Sequence, residues 1–329
     1  GGILASTWNL YDAQVKLSTI GRNFGVKTRF FHGKGGTISR GAGPTHWFLR
    51  TLPHSSIQGD LRLTEQGETI AQKYANKMNA AYNLELLIAG TAGNSILHKY
   101  TGFQPHPFTD TLSYMAEESR KVYLNLISNP HFIVFFSEAT PIDAIESSRI
   151  GSRPSRRTGT RTLKDLRAIP WVFSWSQSRY NLTSWYGVGS TLEKLMVEHP
   201  EKFEALRAAV RSDAIVTYIL TNVDTSLAAT DEDIIHHYAS LCENLEAKEV
   251  ILTMITNELA KTRKMMEIIF QTPFNVRRSQ HYYSNMLRSK AMEQLHKNQV
   301  YRLSKWRKLK GMNANATETE KVLLSLLMT

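Results

Sequence analysis

A run of glycines and basic side chains near the amino terminus carries the clearest chemical signal in the sequence. Residues 30–44 read FFHGKGGTISRGAGP and contain His32, Lys34, Arg40 and five glycines. Glycine lets backbone N–H groups approach an anion closely, and consecutive N–H groups form a cradle for phosphate or carboxylate. The histidine adds proton transfer, and the lysine and arginine add positive charge at the same place. The run therefore predicts an anion-binding loop, and the alternative is an ordinary surface turn.

Three further segments make the pattern specific. Residues 57–68 read IQGDLRLTEQGE, residues 150–157 read IGSRPSRR, and residues 166–177 read LRAIPWVFSWSQ. Together with the glycine-rich loop, and in this order, they resemble the phosphoenolpyruvate carboxylase family, whose loop reads FHGRGGxxxRGGGP. The resemblance extends from residue 1 to about residue 190, and the remainder is similar more weakly, as a helical tail.

The resemblance implies roles for individual residues. His32 matches a histidine that positions the substrate or handles a proton, and Arg40 matches a loop arginine that closes over bicarbonate. Lys34 stands where the family has an arginine, so the charge remains but the two-pronged geometry of a guanidinium is lost. The resemblance assigns substrate binding to the following group: Gly33, Lys34, Gly35, Gly36, Arg153 and Arg167.

The resemblance also implies a regulatory site for aspartate or malate. Arg40 supplies one contact of this site, and the position of a family lysine falls at Asn222, which is uncharged. Arg278 or its neighbour Arg277 is expected to supply a second arginine. Because an amide replaces an ammonium at Asn222, we predict that aspartate inhibits weakly.

The reaction implied by the resemblance joins phosphoenolpyruvate to bicarbonate and yields oxaloacetate and phosphate, which feeds the tricarboxylic acid cycle. It requires Mg²⁺ or Mn²⁺, whose carboxylate ligands lie in family segments that this sequence does not contain. We therefore expect no metal ligand on this chain. We interpret the chain as the C-terminal portion of a carboxylase, inactive by itself. The implied partners are the two substrates, and the whole protein is expected to be a cytoplasmic homotetramer.

The composition limits other interpretations. The chain has 329 residues, of which 42% are hydrophobic, and this is enough for a buried core. One cysteine, Cys242, excludes an intrachain disulfide framework and suits the cytosol. No apolar run reaches the roughly 20 residues that cross a bilayer, and the first residues show no signal peptide. We therefore expect no membrane partner.

A net charge of +11 suggests a second function class. The densest basic segment, residues 297–310, reads KNQVYRLSKWRKLK, and a non-catalytic anion- or nucleic-acid-binding protein could use it. The alternative is an amphipathic helix with Val300, Leu303 and Trp306 facing inward. No nucleic-acid-binding motif accompanies the segment, so we expect no nucleic-acid partner. A different phosphate-handling barrel with the same loop is a further enzyme alternative.

Strands and helices must position these side chains. Residues 26–31, 61–64 and 149–152 are predicted strands, and the functional candidates follow them closely, as in a (β/α)8 barrel. Three strands cannot close a barrel of eight. We therefore predict a mostly α chain. Residues 1–185 are expected to form an incomplete (β/α)8 TIM-type barrel, and residues 186–329 an α-helical C-terminal region.

Apolar spacing predicts the helices. Residues 168–175, AIPWVFSW, suit a strand or a helix, and we choose a helix because Pro170 suits a first helical position and Trp171 and Trp175 are four residues apart. This choice places Arg167 at a helix amino terminus, where the macrodipole favours an anion. The other predicted helices are residues 4–22, 45–52, 68–87, 109–128, 130–137, 191–199, 202–220, 231–247, 250–270, 275–295 and 318–328.

Overall fold

The computed structural model describes residues 1–35, 43–148, 166–312 and 316–327. Within these ranges the chain is mostly helical and has two short strands, which agrees with the predicted mostly α composition. No helix in them is long and apolar enough to cross a membrane. The strands are β1 (Phe31–Gly33) and β2 (Arg62–Thr64). The helices are α1 (Ile3–Asn23), α2 (Thr45–Arg50), α3 (Gly67–Tyr74), α4 (Lys77–Tyr100), α5 (Thr109–Ile127), α6 (Phe132–Glu138), α7 (Ile142–Ser147), α8 (Ala168–Gln177), α9 (Val188–Glu198), α10 (Pro200–Ala209), α11 (Ala214–Ala229), α12 (Glu232–Ala239), α13 (Leu245–Phe270), α14 (Phe274–Arg277), α15 (Ser279–Gly311) and α16 (Ala316–Leu327).

The two strands form a small parallel sheet. His32 of β1 lies opposite Leu63 of β2, and Gly33 lies opposite Thr64. Because parallel strands run in the same direction, their carboxyl ends meet at one edge of the sheet. The strand predicted at residues 61–64 is confirmed, and the one predicted at residues 149–152 lies outside the described residues.

The strand predicted at residues 26–31 is wrong in its bounds, because the beginning of that segment closes α1. The Val26 N–H donates to the Gly21 carbonyl at 2.8 Å, and the Gly25 N–H donates to the Arg22 carbonyl at 3.1 Å. Gly25 has a φ of +66°, the left-handed conformation that ends a helix in a Schellman motif. The strand therefore begins only at Phe31, where a partner is available.

Three predicted helices are each divided by a polar capping residue. Asn76, Asp213 and Asn244 accept hydrogen bonds from first-turn N–H groups of α4, α11 and α13. A side chain that satisfies these free N–H groups allows a new helix to begin in another direction. Apolar spacing continues across each break, so periodicity alone did not reveal it. The affected predictions are those for residues 68–87, 202–220 and 231–247.

One large hydrophobic cluster joins α1, the helices α5 to α13, α15 and α16, and α8 lies within it. Trp175 of α8 is fully buried, and its ring lies 6.1 Å from that of Phe132 and 5.0 Å from that of Phe136, both in α6. The helix predicted for residues 168–175 is confirmed, with Pro170 as its third residue and not its first. This aromatic packing holds α8 in place and thereby positions Arg167, its N-cap residue.

The basic segment at residues 297–310 lies in the second half of α15. Leu303 and Trp306 are buried, so the amphipathic-helix interpretation is confirmed. Arg307 donates to both carboxylate oxygens of Asp143 at 2.9 Å and to the Thr140 carbonyl at 2.8 Å. At least part of the positive charge of this segment therefore serves packing between α15 and α7.

Candidate functional site

The carboxyl edge of the parallel sheet brings two distant sequence segments together. Lys34 comes directly after β1, and its N–H donates to the Thr64 carbonyl at 2.9 Å. Glu65 comes directly after β2. His32 lies within β1, one residue before the strand ends, whereas the sequence placed it just after the strand. Parallel pairing therefore groups the glycine-rich loop with the segment that follows β2.

Lys34 is a buried cation. Its side chain is 7% exposed, and its Nζ donates to the Gly43 carbonyl at 3.4 Å and lies 5.2 Å from the centre of the Phe48 ring. Burial, and next the nearby Lys73, lower the pKa of the Lys34 ammonium to about 8, while Glu65 opposes this shift. A buried ammonium with so few polar contacts is suited to bind an anionic ligand, because the ligand would supply the counter-charge.

A second lysine satisfies the carboxylate next to Lys34. Lys73 of α3 forms an ion pair with Glu65, and its Nζ also donates to Thr45 Oγ1 at 2.9 Å. The Tyr74 hydroxyl donates to the other Glu65 oxygen at 3.3 Å, and burial and Glu65 raise the pKa of that hydroxyl. Glu65 is therefore engaged, and Lys34 has no carboxylate of its own in the described part of the chain. Neither Glu65 nor Lys73 was among the predicted site residues, although Glu65 lies in the family-like segment at residues 57–68.

His32 presents a neutral imidazole at the same edge. Its ring lies edge-on to Phe48, with the centroids 5.1 Å apart. Its Nε2 is buried, with no hydrogen-bond partner among the described residues. Burial, and next Lys34, lower the pKa of the imidazole below its ordinary value. A neutral ring with a free nitrogen can bind a polar ligand atom or handle a proton.

The side chains of Lys34 and His32 line one cavity of about 440 Å³, within the usual range for small-molecule sites. Helices α1, α2 and α11 form its other walls. Asn222 of α11 lines the same cavity and is 4% exposed. A Cβ atom at Gly43, near the end of the glycine-rich loop, would lie 4.0 Å from Asn222 Oδ1. The structure thus brings the predicted regulatory position Asn222 to the predicted substrate residues, which the sequence separates widely.

The other candidates of the glycine-rich loop and the GSRP segment have different outcomes. Gly33 also lines the cavity, and Gly35, the residue after Lys34, is buried. Gly36, Arg40 and Arg153 lie outside the described residues. Their predicted roles stay predictions.

Arg167 occupies the N-cap position of α8, as predicted. No acidic side chain lies in the first turn of this helix, and no side chain of a described residue caps it. The Arg167 Nε is buried, with no hydrogen-bond partner among the described residues. First-turn N–H groups without a side-chain cap, together with this Nε, form a favourable place for an anion. Arg167 does not line the cavity of Lys34 and His32.

The two arginines considered for regulation differ in their surroundings. Arg277 forms a buried two-pronged ion pair with Asp224, with both N···O distances at 2.8 Å. Arg278 donates to Thr225 Oγ1 at 2.7 Å, and its Nε is buried without a partner in the described ranges. Thr225 lies three residues after Asn222 on α11. Arg277 is therefore engaged by a carboxylate, and neither Arg277 nor Arg278 lines the cavity that contains Asn222.

A metal centre is not formed by the described residues. No group of three or more histidine, cysteine, aspartate or glutamate side chains in these ranges is arranged to hold a metal ion. The Glu65 carboxylate, whose charge acts on Lys34, is engaged by Lys73 and Tyr74.

The chain as a whole is similar to one protein family. The family model described as phosphoenolpyruvate carboxylase matches residues 1–329. A relative from Methylorubrum extorquens, described as phosphoenolpyruvate carboxylase, is 44% identical over 268 residues. The aligned part is 81% of this chain and 29% of the relative. The chain thus spans less than a third of the length of that relative.

Proposed function

Because the chain belongs to the phosphoenolpyruvate carboxylase family, we propose that it is part of an enzyme that carboxylates phosphoenolpyruvate with bicarbonate. The observation that carries the proposal is the shared cavity of the Lys34 ammonium and the His32 imidazole. Phosphoenolpyruvate is a dense anion, and a buried cation attracts it strongly because little water screens the interaction. The neighbouring imidazole adds proton transfer, which carboxylation chemistry requires.

Substrate binding in this proposal combines side-chain cations with backbone N–H groups. Lys34 and Arg167 offer charges without carboxylate partners among the described residues. Arg40 is proposed to close over bicarbonate. The remaining proposed contacts to phosphate and carboxylate come from Gly33, Gly35, Gly36 and Arg153.

The proposed reaction begins with transfer of the phosphoryl group from phosphoenolpyruvate to bicarbonate, which leaves an enolate and carboxyphosphate. Carboxyphosphate releases carbon dioxide and phosphate, and the enolate carbon then attacks the carbon dioxide to form oxaloacetate. The cations stabilise the charge that develops on the enolate and the phosphoryl group. We expect His32, whose Nε2 has no hydrogen-bond partner among the described residues, to bind the reacting groups or to handle a proton beside Lys34.

The family implies a divalent metal, Mg²⁺ or Mn²⁺, and the described residues do not fit one. They provide no group of three metal-binding side chains, and Glu65 is already engaged. We therefore assign no step of the reaction on this chain to a metal. We propose that its ligands are supplied by other parts of the enzyme.

The proposal extends to architecture. We propose that residues 1–185 belong to a (β/α)8 barrel that other segments complete, and that residues 186–329 form the helical region behind it. β1, α2 and β2 follow one another as a β–α–β unit with parallel strands, which suits this arrangement. We further propose that the complete enzyme is a cytoplasmic homotetramer.

A coupled assay of oxaloacetate formation by the complete protein tests the proposed function. With phosphoenolpyruvate, bicarbonate and Mg²⁺ we expect turnover that stops when either substrate is omitted. Lys34→Gln should raise KM for phosphoenolpyruvate, whereas the same exchange at the exposed Lys27 should leave it unchanged. A folded complete protein that forms no oxaloacetate contradicts the proposal.

The lysine at position 34 should make substrate binding sensitive to alkaline pH. Anion binding requires the protonated ammonium, and the pKa of Lys34 in the free site is about 8. Binding should therefore be strongest below pH 8, and the rise of KM above it should approach about tenfold per pH unit. Lys34→Arg should remove this rise up to about pH 10, since a guanidinium stays protonated. Steady-state kinetics between pH 7 and about pH 10 provide the measurement.

The matched control for this pH profile is Lys27→Arg, the same exchange at an exposed lysine. It should keep the alkaline rise of KM. An unchanged rise in Lys34→Arg would show that another group titrates.

Inhibition by aspartate should be weak in the complete enzyme and should strengthen in Asn222→Lys. Asn222 lies in the same cavity as Lys34, where an added ammonium could bind a dicarboxylate. The gain should be roughly 10- to 10²-fold in the inhibition constant, because a charge-assisted contact replaces a neutral one. Asn222→Gln, which keeps the amide, is the control. Strong inhibition of the unmodified enzyme would show that other residues replace the missing charge.

A further inference from the structure

A second cavity, which we call the α11–α15 cleft, lies between the carboxyl end of α11, the helices α12 and α13, and the first half of α15. Its volume is about 520 Å³, which suits a small organic molecule. It shares no lining residue with the cavity of Lys34 and His32. None of the motifs that identify the family contributes a residue to it, except that Arg179 follows the last motif closely.

Two guanidinium groups in the cleft lack ion-pair partners. Arg179 and Arg288 both line it, and neither forms an ion pair with a carboxylate in the described ranges. Of the other charged side chains in the lining, Arg263 pairs with Glu232 and Arg277 pairs with Asp224. Asp231 caps α12 by accepting from the Ile234 N–H, and its charge opposes the lowering of the Arg179 pKa by burial. Glu267 of α13 is exposed.

Arg179 is held in place at a conformational cost. Its φ is +59°, in the left-handed region that usually favours glycine at the end of a helix such as α8. Its Nε donates to His296 Nε2 at 3.2 Å, and its Nη1 donates to the Ala229 carbonyl at 3.4 Å. Burial, and next Arg179, lower the pKa of His296 to about 4, so the imidazole is neutral and accepts this bond. The guanidinium is therefore fixed on one side, and no partner in the described ranges engages its Nη2.

Apolar side chains form much of the remaining wall. Leu227 and Ile234 lie on the inner side, and Phe274, Met286 and Met292 lie toward α14 and α15. Met286 is 52% exposed, so part of the apolar wall faces solvent. An apolar wall beside two guanidinium groups fits a ligand that has one anionic group and one apolar group.

We propose that the α11–α15 cleft binds a small organic anion with an apolar body, with its anionic group between Arg179 and Arg288. This site is separate from the proposed carboxylase site and does not depend on the proposed reaction. Methionine side chains adapt to different apolar shapes, which suits the part of the wall near the opening.

Two fluorescent probes test this proposal on the complete protein. 8-Anilinonaphthalene-1-sulfonate is an anion with an apolar body, and N-phenyl-1-naphthylamine is its uncharged counterpart. In Arg288→Gln the tightest class of sulfonate sites should weaken by about tenfold, because one charge-assisted contact is lost. Lys290→Gln is the matched control, since it removes an exposed charge that lies on the same helix and outside the cleft.

Met286→Glu provides an independent test, because it adds a carboxylate to the wall without touching either arginine. It should weaken binding of the sulfonate more than binding of the neutral probe. Circular dichroism should show unchanged helix content in all three variants, since these side chains are exposed. The proposal is overturned if Arg288→Gln and Met286→Glu leave the tightest sulfonate sites intact. It is equally overturned if the neutral probe loses as much affinity as the anionic one.

Discussion

Replacement of Arg167 by alanine in the complete enzyme should lower kcat/KM for phosphoenolpyruvate by about 10²–10³. Arg167 stands at the amino terminus of α8, where no acidic side chain lies in the first turn. Its Nε is buried without a partner among the described residues, so this nitrogen can donate to an anion. A charge-assisted contact that strengthens as the phosphoryl group moves contributes about 3–4 kcal/mol, which corresponds to this change in rate. Steady-state kinetics at saturating bicarbonate measure the effect.

Two further variants separate loss of this contact from a structural effect. Arg167→Lys keeps the charge without the two-pronged geometry. We therefore expect its kcat/KM to lie between that of Arg167→Ala and that of the unmodified enzyme. Arg29→Ala removes an arginine that pairs with Asp60 at the surface and should leave kcat/KM unchanged. A change below about threefold in Arg167→Ala would mean that this arginine does not contact the substrate.

Replacement of Asp224 by alanine should destabilise the protein by about 3–5 kcal/mol, because it leaves the Arg277 guanidinium buried without its counter-charge. The two side chains are 1% and 5% exposed, and two hydrogen bonds of 2.8 Å join them. The ion pair connects α11 to α14. Arg277 also donates to the Thr272 carbonyl in the segment before α14. The measurement is the shift of the thermal or urea unfolding midpoint of the complete protein.

Glu232→Ala is the matched control, because the Glu232–Arg263 pair has the same chemistry but both side chains are more than 40% exposed. An exposed pair contributes about 0–1 kcal/mol, so the unfolding midpoint should hardly move. Equal effects of the two variants would contradict the assignment of Asp224–Arg277 as a buried structural pair. Arg277 would then again be a candidate for the regulatory arginine.

Local patterns in the sequence were enough to predict several structural elements as well as the family. The tryptophan spacing of residues 166–177 indicated α8 and placed Arg167 at its amino end, because a helix repeats every 3.6 residues and buries one face. The same reasoning identified Leu303 and Trp306 as the buried face of a basic helix. The strand before Glu65 was also predictable, since residues 61–64 read LRLT, an alternation of apolar and polar residues that ends close to Gly67.

The tertiary structure alone decided which of these residues meet. Apolar periodicity continues through Asn76, Asp213 and Asn244, and only the first-turn N–H groups that they cap reveal the breaks.

Parallel pairing brings Glu65 beside Lys34, and packing of α11 brings Asn222 into the same cavity. The low pKa of Lys34 follows from the burial of its side chain and from the nearby charge of Lys73. Neither the burial nor this proximity can be predicted from the order of residues alone. The residue types, and therefore the possible chemistry, could be predicted from sequence. The burial and the neighbouring charges that set their protonation depend on contacts between distant segments, and so they required the fold.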